Sequence, residues 1–507
     1  MRLDKLVVAA DLPGAGVQVT DVRGDPGAVE ISSMTLDSGE VLPGALFCCV
    51  PGQVLDGHNF AHAAVDAGAV GLLCERALDV PVPQVVVRSV RAALGPLASA
   101  LHDHPSEAMT VVGITGTNGK TTAAHLLASV FDAAGRRAAT LGTLSGARTT
   151  PEAPILQATL AELRRGGVDA IAMEVSSHAL SQHRVDGVHF AAATFTNLSQ
   201  DHLDYHQTME RYFSAKAQLF EHHRTEIAVV NVDDPWGRRL VDRLRTDGRR
   251  VVTFSLSDAE HVVIEAAGSR FEWHGMLLSL RLGGRVNIAN ALAAAATAES
   301  LDVPPSAIGD GLAAVESVRG RFESVDLGQP FRVLVDYAHT PAALDQALAS
   351  ARELIDQAQP GAEPTSSRQL IVVFGCGGDR DTTKRPRMGA VASHQADLVI
   401  LTSDNPRNED PERIIDEIRA GAAGPGRLLI EPDRAQAITE ALNRARPGDA
   451  VVIAGKGHES AQDVGDLKVP FDDAEVAGAV LRHQFGAPGG KSSCQGVRSK
   501  EPGCSPC

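Results

Sequence analysis

The chain has 507 residues, which exceeds one typical domain and predicts about three. Hydrophobic residues make up 44% and charged residues 22%, as in a globular protein, and the net charge of -16 argues against nonspecific binding to nucleic acid or to an anionic membrane. The seven cysteines are an odd number, which argues against a disulfide framework. Without a signal-peptide pattern or a run of ~20 apolar residues, a cytoplasmic protein that does not insert into a membrane is expected.

Short apolar runs in the first hundred residues predict a small α/β unit. Residues 45–50 and 70–74 are compact and apolar, as in buried strands, and residues 60–67 have helical spacing. Residues 102–108, with Pro105 inside, are expected to form a linker.

Strands and helices then alternate. A buried-type strand at 109–114 runs into a Gly/Thr/Asn loop and a helix at 121–134. Further strands are expected at 170–175 and 227–232, and an Ala-rich helix at 287–301. This alternation favours a mostly parallel sheet with helices on both faces.

A second α/β series begins near Gly320 and indicates a Rossmann-like unit. Its predicted strands lie at 332–336, 370–374, 398–402 and 450–454. The predicted domains are therefore 1–107, 108–318 and 319–485, followed by a Gly-, Pro-, Ser- and Cys-rich tail at 486–507 that is expected to be disordered.

The most specific local pattern is Gly113-Ile-Thr-Gly-Thr-Asn-Gly-Lys-Thr-Thr122, between a predicted strand and a predicted helix. Glycines at a helix N-terminus let backbone N–H groups approach phosphates. Lys120 is expected to reach the β/γ-phosphates, and Thr121 or Thr122 to offer a hydroxyl to Mg²⁺. The alternative is a tight glycine-rich turn without a ligand, which Gly-Lys-Thr-Thr in this setting disfavours.

Acidic, histidine and lysine residues recur in the three segments 173–180, 196–206 and 213–217. Joining two anions, such as a phosphate and a carboxylate, requires cations between them, and oxygen ligands with an imidazole suit Mg²⁺. Glu174, at the end of a predicted strand, and His202 are the candidate ligands. Taken alone, either could be an ordinary structural or surface residue. A zinc site is disfavoured, because neither HExxH nor paired cysteines accompany the histidines of these segments.

The form Thr-Gly-Thr-Asn-Gly-Lys-Thr of the loop and the three segments after it resemble the Mur ligase superfamily, which includes folylpolyglutamate synthases. These enzymes use ATP to convert a carboxylate into an acyl phosphate, which an amine then attacks. The resemblance implies that Glu174 and His202 bind Mg²⁺ and that Lys216 carries a carbamate that also ligates the metal. From its own sequence context, Lys216 could equally be a solvated helix lysine.

The resemblance also implies nucleotide contacts. The segment Val286-Asn-Ile-Ala-Asn290 matches the family's adenine-contacting segment, and Val335-Asp-Tyr-Ala-His-Thr-Pro341 matches an ATP-side motif. Gly320-Arg-Phe-Glu323 matches the hinge, where the family usually has Pro at the position of Arg319. The implied ATP contacts are Gly116, Thr117, Asn118, Gly119, Lys120, Thr121, Thr122, Asn290, Arg321 and Asp336.

Further segments are similar to those of family members that act on a UDP-linked muramoyl dipeptide. Thr149-Thr-Pro-Glu-Ala153 and the run from Ser176 to Arg184 match muramoyl-Ala-Glu contacts. The run from Leu36 to Phe47 resembles the UDP-binding domain, with Gly39 where the family commonly has Arg. The implied contacts are Leu36, Ser38, Thr149, Thr150, Ser176, Gln182 and Arg184.

Three segments of the last domain resemble the family segments that select the amino acid whose amine is joined to the substrate. They are Phe374-Gly-Cys-Gly-Gly-Asp-Arg-Asp381, Asp404-Asn-Pro-Arg407 and Gly455-Lys-Gly-His-Glu459. In the family, Asp-Asn-Pro-Arg accompanies meso-diaminopimelate, which is lysine with an additional carboxylate, and an arginine holds a carboxylate with two parallel hydrogen bonds. By itself, Asp-Asn-Pro-Arg is a common turn sequence. The implied contacts are Arg380, Asp404, Asn405, Pro406, Arg407, Gly455 and Glu459.

The resemblance therefore implies a monomeric, ATP- and Mg²⁺-dependent ligase of peptidoglycan synthesis. It would add meso-diaminopimelate to the D-Glu γ-carboxylate of UDP-muramoyl-L-Ala-D-Glu. The alternatives are a lysine-adding ligase, a folylpolyglutamate synthase and a catalytically inactive nucleotide-binding regulator. Against the regulator stand the retained residues Lys120, Glu174, His202 and Lys216. His339 is a candidate base for the attacking amine.

Overall fold

The computed structural model describes residues 1–10, 17–52, 55–146, 148–265, 268–356 and 368–485. The chain forms three successive α/β units built on mostly parallel sheets, as predicted. The tail at 486–507, expected to be disordered, lies outside the described residues. In the parts that are described, no helix combines the length and apolar character needed to cross a membrane.

The first unit contains one five-stranded sheet between helices. Its strands are β1 (Val19–Arg23), β2 (Ser33–Thr35), β3 (Ala45–Cys48), β4 (Gly71–Cys74) and β5 (Gln84–Val87), and its helices are α1 (Leu3–Ala9), α2 (Ala61–Asp66) and α3 (Val90–Leu101). The strand order is β1-β5-β4-β3-β2, with only β1 antiparallel to its neighbour. Every side chain of β3 and β4 is buried, which explains why both strands are continuous apolar runs.

The segment predicted to be a linker between the first two units is folded. Residues Pro105–Ala108 form one turn of 3-10 helix, a position at which proline is favoured. The hydroxyl of Ser106 accepts a hydrogen bond from the backbone N–H of His189 at 3.0 Å. The prediction of a plain linker is therefore wrong, because tertiary hydrogen bonds fix the segment to the second unit.

The second unit contains a six-stranded sheet and a smaller three-stranded one. Its strands are β6 (Thr110–Thr115), β7 (Ala138–Leu141), β8 (Ala170–Glu174), β9 (Phe190–Phe195), β10 (Thr225–Asn231), β11 (Arg250–Phe254), β12 (Glu260–Glu265), β13 (Gly268–Trp273) and β14 (Met276–Leu280). Its helices are α4 (Lys120–Ala133), α5 (Ala153–Arg165), α6 (Ser177–Ser181), α7 (Leu203–His206), α8 (Met209–Ala217), α9 (Pro235–Thr246), α10 (Arg285–Ser300) and α11 (Pro305–Ala314).

The large sheet of the second unit is entirely parallel, with the order β11-β10-β9-β6-β8-β7. The chain runs to one side of β6 through β7 and β8, and then to its other side through β9 and β10. Ligands of such sheets bind at the carboxyl ends of the strands where the order reverses. The loop after β6 lies at this point and is therefore placed for ligand binding.

The third unit is a second parallel sheet with one antiparallel edge strand. Its strands are β15 (Glu323–Ser324), β16 (Arg332–Asp336), β17 (Leu370–Phe374), β18 (Leu398–Leu401), β19 (Arg427–Ile430) and β20 (Ala450–Ala454), followed by the hairpin β21 (Ala461–Val464) and β22 (Leu467–Pro470). Its helices are α12 (Pro341–Asp356), α13 (Lys384–Gln395), α14 (Pro411–Arg419), α15 (Arg434–Arg444) and α16 (Asp473–Phe485). The order β15-β16-β20-β17-β18-β19 confirms the four predicted strands.

A fully buried ion pair stabilises the third unit. Arg434 Nε and Nη2 each donate to the Asp473 carboxylate at 2.7 Å, Nη2 also donates to Ala454 O at 3.0 Å, and both side chains are 0% exposed. Replacing Asp473 with alanine leaves a buried guanidinium unpaired, and we expect the free energy of unfolding to fall by about 3–5 kcal/mol.

Chemical denaturation of the intact protein measures this loss. The matched control is Asp416→Ala, which removes an exposed partner of Arg419 and should cost less than about 1 kcal/mol. Equal stability of the two variants would contradict the role assigned to the buried pair.

Candidate active site

The phosphate loop connects β6 to α4, as the sequence predicts. Gly119 caps the helix at a φ of 86°, and a Cβ there would lie 2.3 Å from Asn290 Oδ1, so only glycine fits. The ammonium group of Lys120 donates to Gly116 O at 3.0 Å and to Thr117 O at 2.9 Å. The lysine thus lies folded over the loop, with its charge at the place where phosphates would bind.

Glu174, at the carboxyl end of β8, is buried beside this loop. Its Oε2 accepts hydrogen bonds from the hydroxyls of Thr121 at 3.0 Å and Thr143 at 3.2 Å, and its Oε1 accepts the backbone N–H of Thr143 at 2.8 Å. A buried carboxylate beside a hydroxyl offers the hard oxygen donors that Mg²⁺ prefers. The residues therefore fit a magnesium ion. Sequence reasoning missed Thr143, which no motif marks.

His202 and Asp201 form a second polar group at this cleft. His202 Nε2 lies 3.2 Å from Asp201 Oδ2, and its ring centroid is 4.8 Å from that of His178. Burial lowers the pKa of His202, and the Asp201 carboxylate opposes this only in part. The ring is therefore neutral, the form that binds a metal. Sequence reasoning missed Asp201, although it directly precedes His202 in the same motif.

Lys216, on α8, is almost completely buried. Its ammonium nitrogen lies 2.7 Å from Gly116 O and 4.7 Å from the centroid of the Tyr212 ring. Burial, reinforced by the charge of Lys120, holds the pKa of Lys216 well below its usual value. The interpretation as a solvated helix lysine is therefore wrong, because the amine is removed from solvent and held against a backbone carbonyl.

A cleft of about 230 Å³ collects nine of the ten residues predicted for ATP, two of the residues predicted for the dipeptide, and the predicted metal ligands Glu174 and His202. Those that line it are Thr117, Asn118, Gly119, Lys120, Thr121, Thr122, Thr149, Glu174, Ser176, His202, Asn290, Arg321 and Asp336.

A second cleft of about 680 Å³ shares Asn118, Gly119, Val286, Asn290 and Gln346 with the first. The two clefts are therefore continuous. Together they offer room for phosphates at the loop and for a nucleoside beyond Asn290.

The hinge and the third unit close one side of the first cleft. Arg321 Nη2 donates to Thr121 Oγ1 at 3.1 Å, and Asp336 Oδ2 accepts the N–H of Phe322 at 2.7 Å. Burial raises the pKa of Asp336, an effect that the Arg321 charge opposes. Arg319 Nη2 donates to Asp472 Oδ2 at 2.6 Å, and this ion pair connects the hinge to the third unit.

The residues predicted for the dipeptide form one wall of the first cleft and its support. The buried hydroxyl of Thr150 donates to Glu174 O at 3.0 Å and accepts the N–H of Ser176 at 3.1 Å. Arg184 donates to Thr150 O at 3.0 Å and to Gln182 Oε1 at 2.6 Å. Thr150 and Arg184 therefore hold the wall in place behind Ser176.

The structure does not bring the two residues predicted for uridine to this wall. Leu36 and Ser38 lie in the first unit, and neither lines the two clefts. Ser38 begins a 3-10 turn that the Asp37 carboxylate caps.

The third predicted group lies on the loops that follow β17, β18 and β20. Arg407 has a φ of 52°, its Nη1 donates to Gly378 O at 2.6 Å, and its backbone N–H donates to Asp463 O at 3.0 Å. A Cβ at Gly378 would lie 1.9 Å from Pro406 O, so glycine allows the two loops to interlock. Arg380 is exposed in the same loop as Gly378.

Asn405 and Glu459 also belong to this group, which we call the amino-acid cluster (residues 377–380, 404–407 and 455–459). Asn405 Nδ2 donates to Glu459 Oε2 at 2.8 Å. The Asp404 carboxylate is buried against Gly455, and its Oδ1 accepts the N–H of Asn405 at 2.7 Å. The structure therefore brings the predicted amine-binding residues together.

Ring contacts connect the amino-acid cluster to the first cleft. The Arg321 guanidinium lies 4.5 Å from the centroid of the Tyr337 ring, and that ring lies 5.1 Å from the ring of His458. Tyr337 lines the first cleft, whereas His458 precedes Glu459. A substrate in the first cleft and an amine at the cluster would thus adjoin.

Comparison with protein families covers most of the chain. The model of the Mur ligase family catalytic domain matches residues 30–102, that of the Mur ligase middle domain matches 114–298, and that of the Mur ligase glutamate ligase domain matches 320–457. All three carry the name of the same family.

Two relatives are named UDP-N-acetylmuramoyl-L-alanyl-D-glutamate--2,6-diaminopimelate ligase. That of Geobacillus thermodenitrificans is 41% identical over 510 residues (96% of this chain, all of the relative), and that of Streptomyces avermitilis is 41% identical over 488 residues (90% and 94%). A solved structure with that name shares 32% identity at a TM-score of 0.64, covering 92% of this chain and 97% of its own.

The MurF ligase from Thermotoga maritima in complex with ADP shares the fold, at 21% identity and a TM-score of 0.59 over 84% of this chain and 94% of its own. The chain belongs to the Mur ligase family of ATP-dependent amide-bond-forming ligases.

Proposed function

We propose that this ligase adds meso-diaminopimelate to the γ-carboxylate of D-Glu in UDP-N-acetylmuramoyl-L-alanyl-D-glutamate, cleaving ATP to ADP and phosphate, as a step of peptidoglycan synthesis. The observation that carries this proposal is the Arg407 guanidinium, anchored to Gly378 O in the same amino-acid cluster as the Glu459 carboxylate that Asn405 holds. Such a pair suits an amine whose far end carries a second carboxylate. The names of the full-length relatives support the same substrates.

The first step activates the carboxylate. Lys120 and Arg321 supply positive charge at the loop, and ATP phosphates would displace the carbonyl oxygens that Lys120 now contacts. The γ-carboxylate oxygen of D-Glu attacks the γ-phosphorus, the bond to ADP breaks, and an acyl phosphate forms. Thr149 and Ser176 hold the dipeptide along the cleft wall. Catalysis at this step is positioning and charge neutralisation.

The residues around the loop suit magnesium. Thr121 and Glu174 would hold one ion, and His202 with a carbamate on Lys216 would hold a second. When bound, magnesium neutralises charge between the γ-phosphate and the substrate carboxylate. The buried Lys216 amine can react with carbon dioxide because its pKa is lowered. The carbamate would turn a repelling cation into an anionic ligand.

The second step forms the amide. The amine of diaminopimelate attacks the acyl carbon, phosphate leaves, and one proton is lost. Arg407 and Arg380 would hold the carboxylates, and Glu459 an ammonium group. His339 would accept the proton. Its Nδ1 donates to Tyr337 O at 2.8 Å, which leaves the Nε2 lone pair, 3.8 Å from Asp201 Oδ2, to act as the acceptor.

Phosphate release with each substrate omitted in turn tests this function. We expect release only when ATP, Mg²⁺, the UDP-muramoyl dipeptide and diaminopimelate are all present, with lysine a very poor substitute. Release with a folate and glutamate would favour a folylpolyglutamate synthase, and the absence of any release would favour a regulator. Either result would contradict the proposal.

We further propose that the ligase works as a monomer on small molecules in the cytoplasm, with domain boundaries at 107/108 and 318/319. Each sheet falls within one of these ranges, which supports the boundaries. Light scattering of the purified protein should give the mass of one chain. Limited proteolysis should cut near 318/319 rather than within the sheets, whereas the folded turn Pro105–Ala108 should resist cleavage.

A further inference from the structure

Lys456 is a completely buried lysine within the amino-acid cluster. Its ammonium group donates to Asn405 Oδ1 at 2.9 Å, to Glu459 Oε2 at 3.0 Å and to Ala461 O at 2.7 Å, and its side chain is 0% exposed. An ammonium group has three donors, so every donor has a partner. The three acceptors belong to three different segments: the loop after β18, the loop after β20 and the start of β21.

These contacts leave Glu459 with one engaged and one available oxygen. Its Oε2 accepts from both Lys456 and Asn405. Its Oε1 accepts no hydrogen bond from the residues that the structure describes, and the side chain remains 30% exposed. A carboxylate held in this way cannot rotate freely, and it presents its second oxygen to a ligand.

The same lysine is coupled to the other end of the cluster. Asn405 Oδ1 accepts both Lys456 Nζ and the backbone N–H of Asp463, at 3.0 Å. The carbonyl of Asp463 in turn accepts the N–H of Arg407 at 3.0 Å. Lys456 therefore helps to set the spacing between Glu459 and Arg407. A diamino diacid would have to match that spacing.

We infer that Lys456 is a positioning residue for the amino-acid substrate. Its ammonium group fixes Glu459 and Asn405, so that Glu459 Oε1 receives an ammonium group of the incoming diaminopimelate while Arg407 holds the far carboxylate. Lys456 itself does not touch the substrate, because its three donors are used within the protein. This inference rests on the proposed function and identifies the cation that orients its amine site.

The test variant is Lys456→Met, which keeps the length of the side chain and removes the ammonium group. We expect the KM for diaminopimelate to rise at least about tenfold, while the KM values for ATP and for the dipeptide change less than about twofold. Hydroxylamine, a small amine that needs no amino-acid site, should still intercept the acyl phosphate to give a hydroxamate and phosphate. The matched control, Lys468→Met, removes an exposed lysine of β22 and should change none of these values.

A double-mutant cycle with Glu459→Gln separates positioning from general stability. If Lys456 acts through Glu459, the KM of the double variant for diaminopimelate should equal that of the more impaired single variant, within about twofold. The inference would be overturned if the effects of the two substitutions on this KM multiplied, or if Lys456→Met left the KM for diaminopimelate unchanged. Loss of the hydroxylamine reaction together with the amide reaction would also overturn it. A wild-type protein without diaminopimelate-dependent phosphate release would instead refute the proposed function.

Discussion

Replacing Lys216 with alanine is expected to lower the rate of amide formation at least about 100-fold, because losing even an outer-shell partner of a metal site costs ~10–100-fold. The lysine is buried against Gly116 O and shares the loop with Lys120, so an unmodified ammonium there would oppose binding of a cation. A carbamate would supply a carboxylate-like ligand in the same place. Steady-state phosphate release at saturating substrates measures the loss.

Short carboxylates such as formate or acetate should restore part of the activity of Lys216→Ala, because they can occupy the space that the side chain leaves. The matched control is Lys216→Arg, which fills the space with a cation and should be equally inactive but not restored. Carbon-13 NMR after growth with labelled bicarbonate should show a carbamate signal in the wild type and none in either variant. An alanine variant with normal turnover would refute the carbamate.

Replacing Arg407 with lysine is expected to lower kcat/KM for diaminopimelate roughly 100- to 1,000-fold, because a single ammonium cannot reproduce the two parallel hydrogen bonds of a guanidinium to a carboxylate. The Arg407 side chain is anchored through Nη1 to Gly378 O, which leaves the rest of the guanidinium for a substrate. The loss should lie mainly in KM for diaminopimelate, with some gain in the use of lysine.

Arg413→Lys is the control for this change. Arg413 is an exposed arginine of α14, in the same unit, whose contact with Glu417 is long at 3.4 Å. Its kinetics should match those of the wild type. Unchanged diaminopimelate kinetics in Arg407→Lys would remove the physical basis for selecting this substrate.

The parallel sheets are predictable from the sequence because helices cover both of their faces. All side chains of β17 and β20 are buried, so each strand is a continuous apolar run. The antiparallel sheet β12–β14 was not predicted, since its strands are short and two of them, β12 and β14, lack a regular alternation of polar and apolar residues. The turn His274-Gly275, with φ values of 49° and 76°, is the signal that could have revealed its second hairpin.

The part of the first cleft that comes from one contiguous sequence motif was predictable. The phosphate loop fixes where Lys120 and Thr121 lie, because a strand, a loop and a helix start are contiguous in sequence. Thr143 follows β7 and reaches Glu174 only through the pairing of β7 with β8. No local pattern encodes such a contact.

The role of Lys456 was hidden for a different reason. It stands within a segment that the sequence already marks, between Gly455 and Glu459, but a lysine beside glycines gives no sign of burial. Its importance follows from three acceptors that come from separate loops. Only the tertiary structure brings those acceptors to one ammonium group.

A competition experiment tests the central claim most directly. The purified protein is incubated with ATP, Mg²⁺, the UDP-muramoyl dipeptide and equal concentrations of meso-diaminopimelate and lysine, and the products are identified by mass spectrometry. We expect one tripeptide product, extended by diaminopimelate, with ADP and phosphate in equal amounts. A lysine-extended product in comparable quantity, or ATP cleavage without any tripeptide, would contradict it.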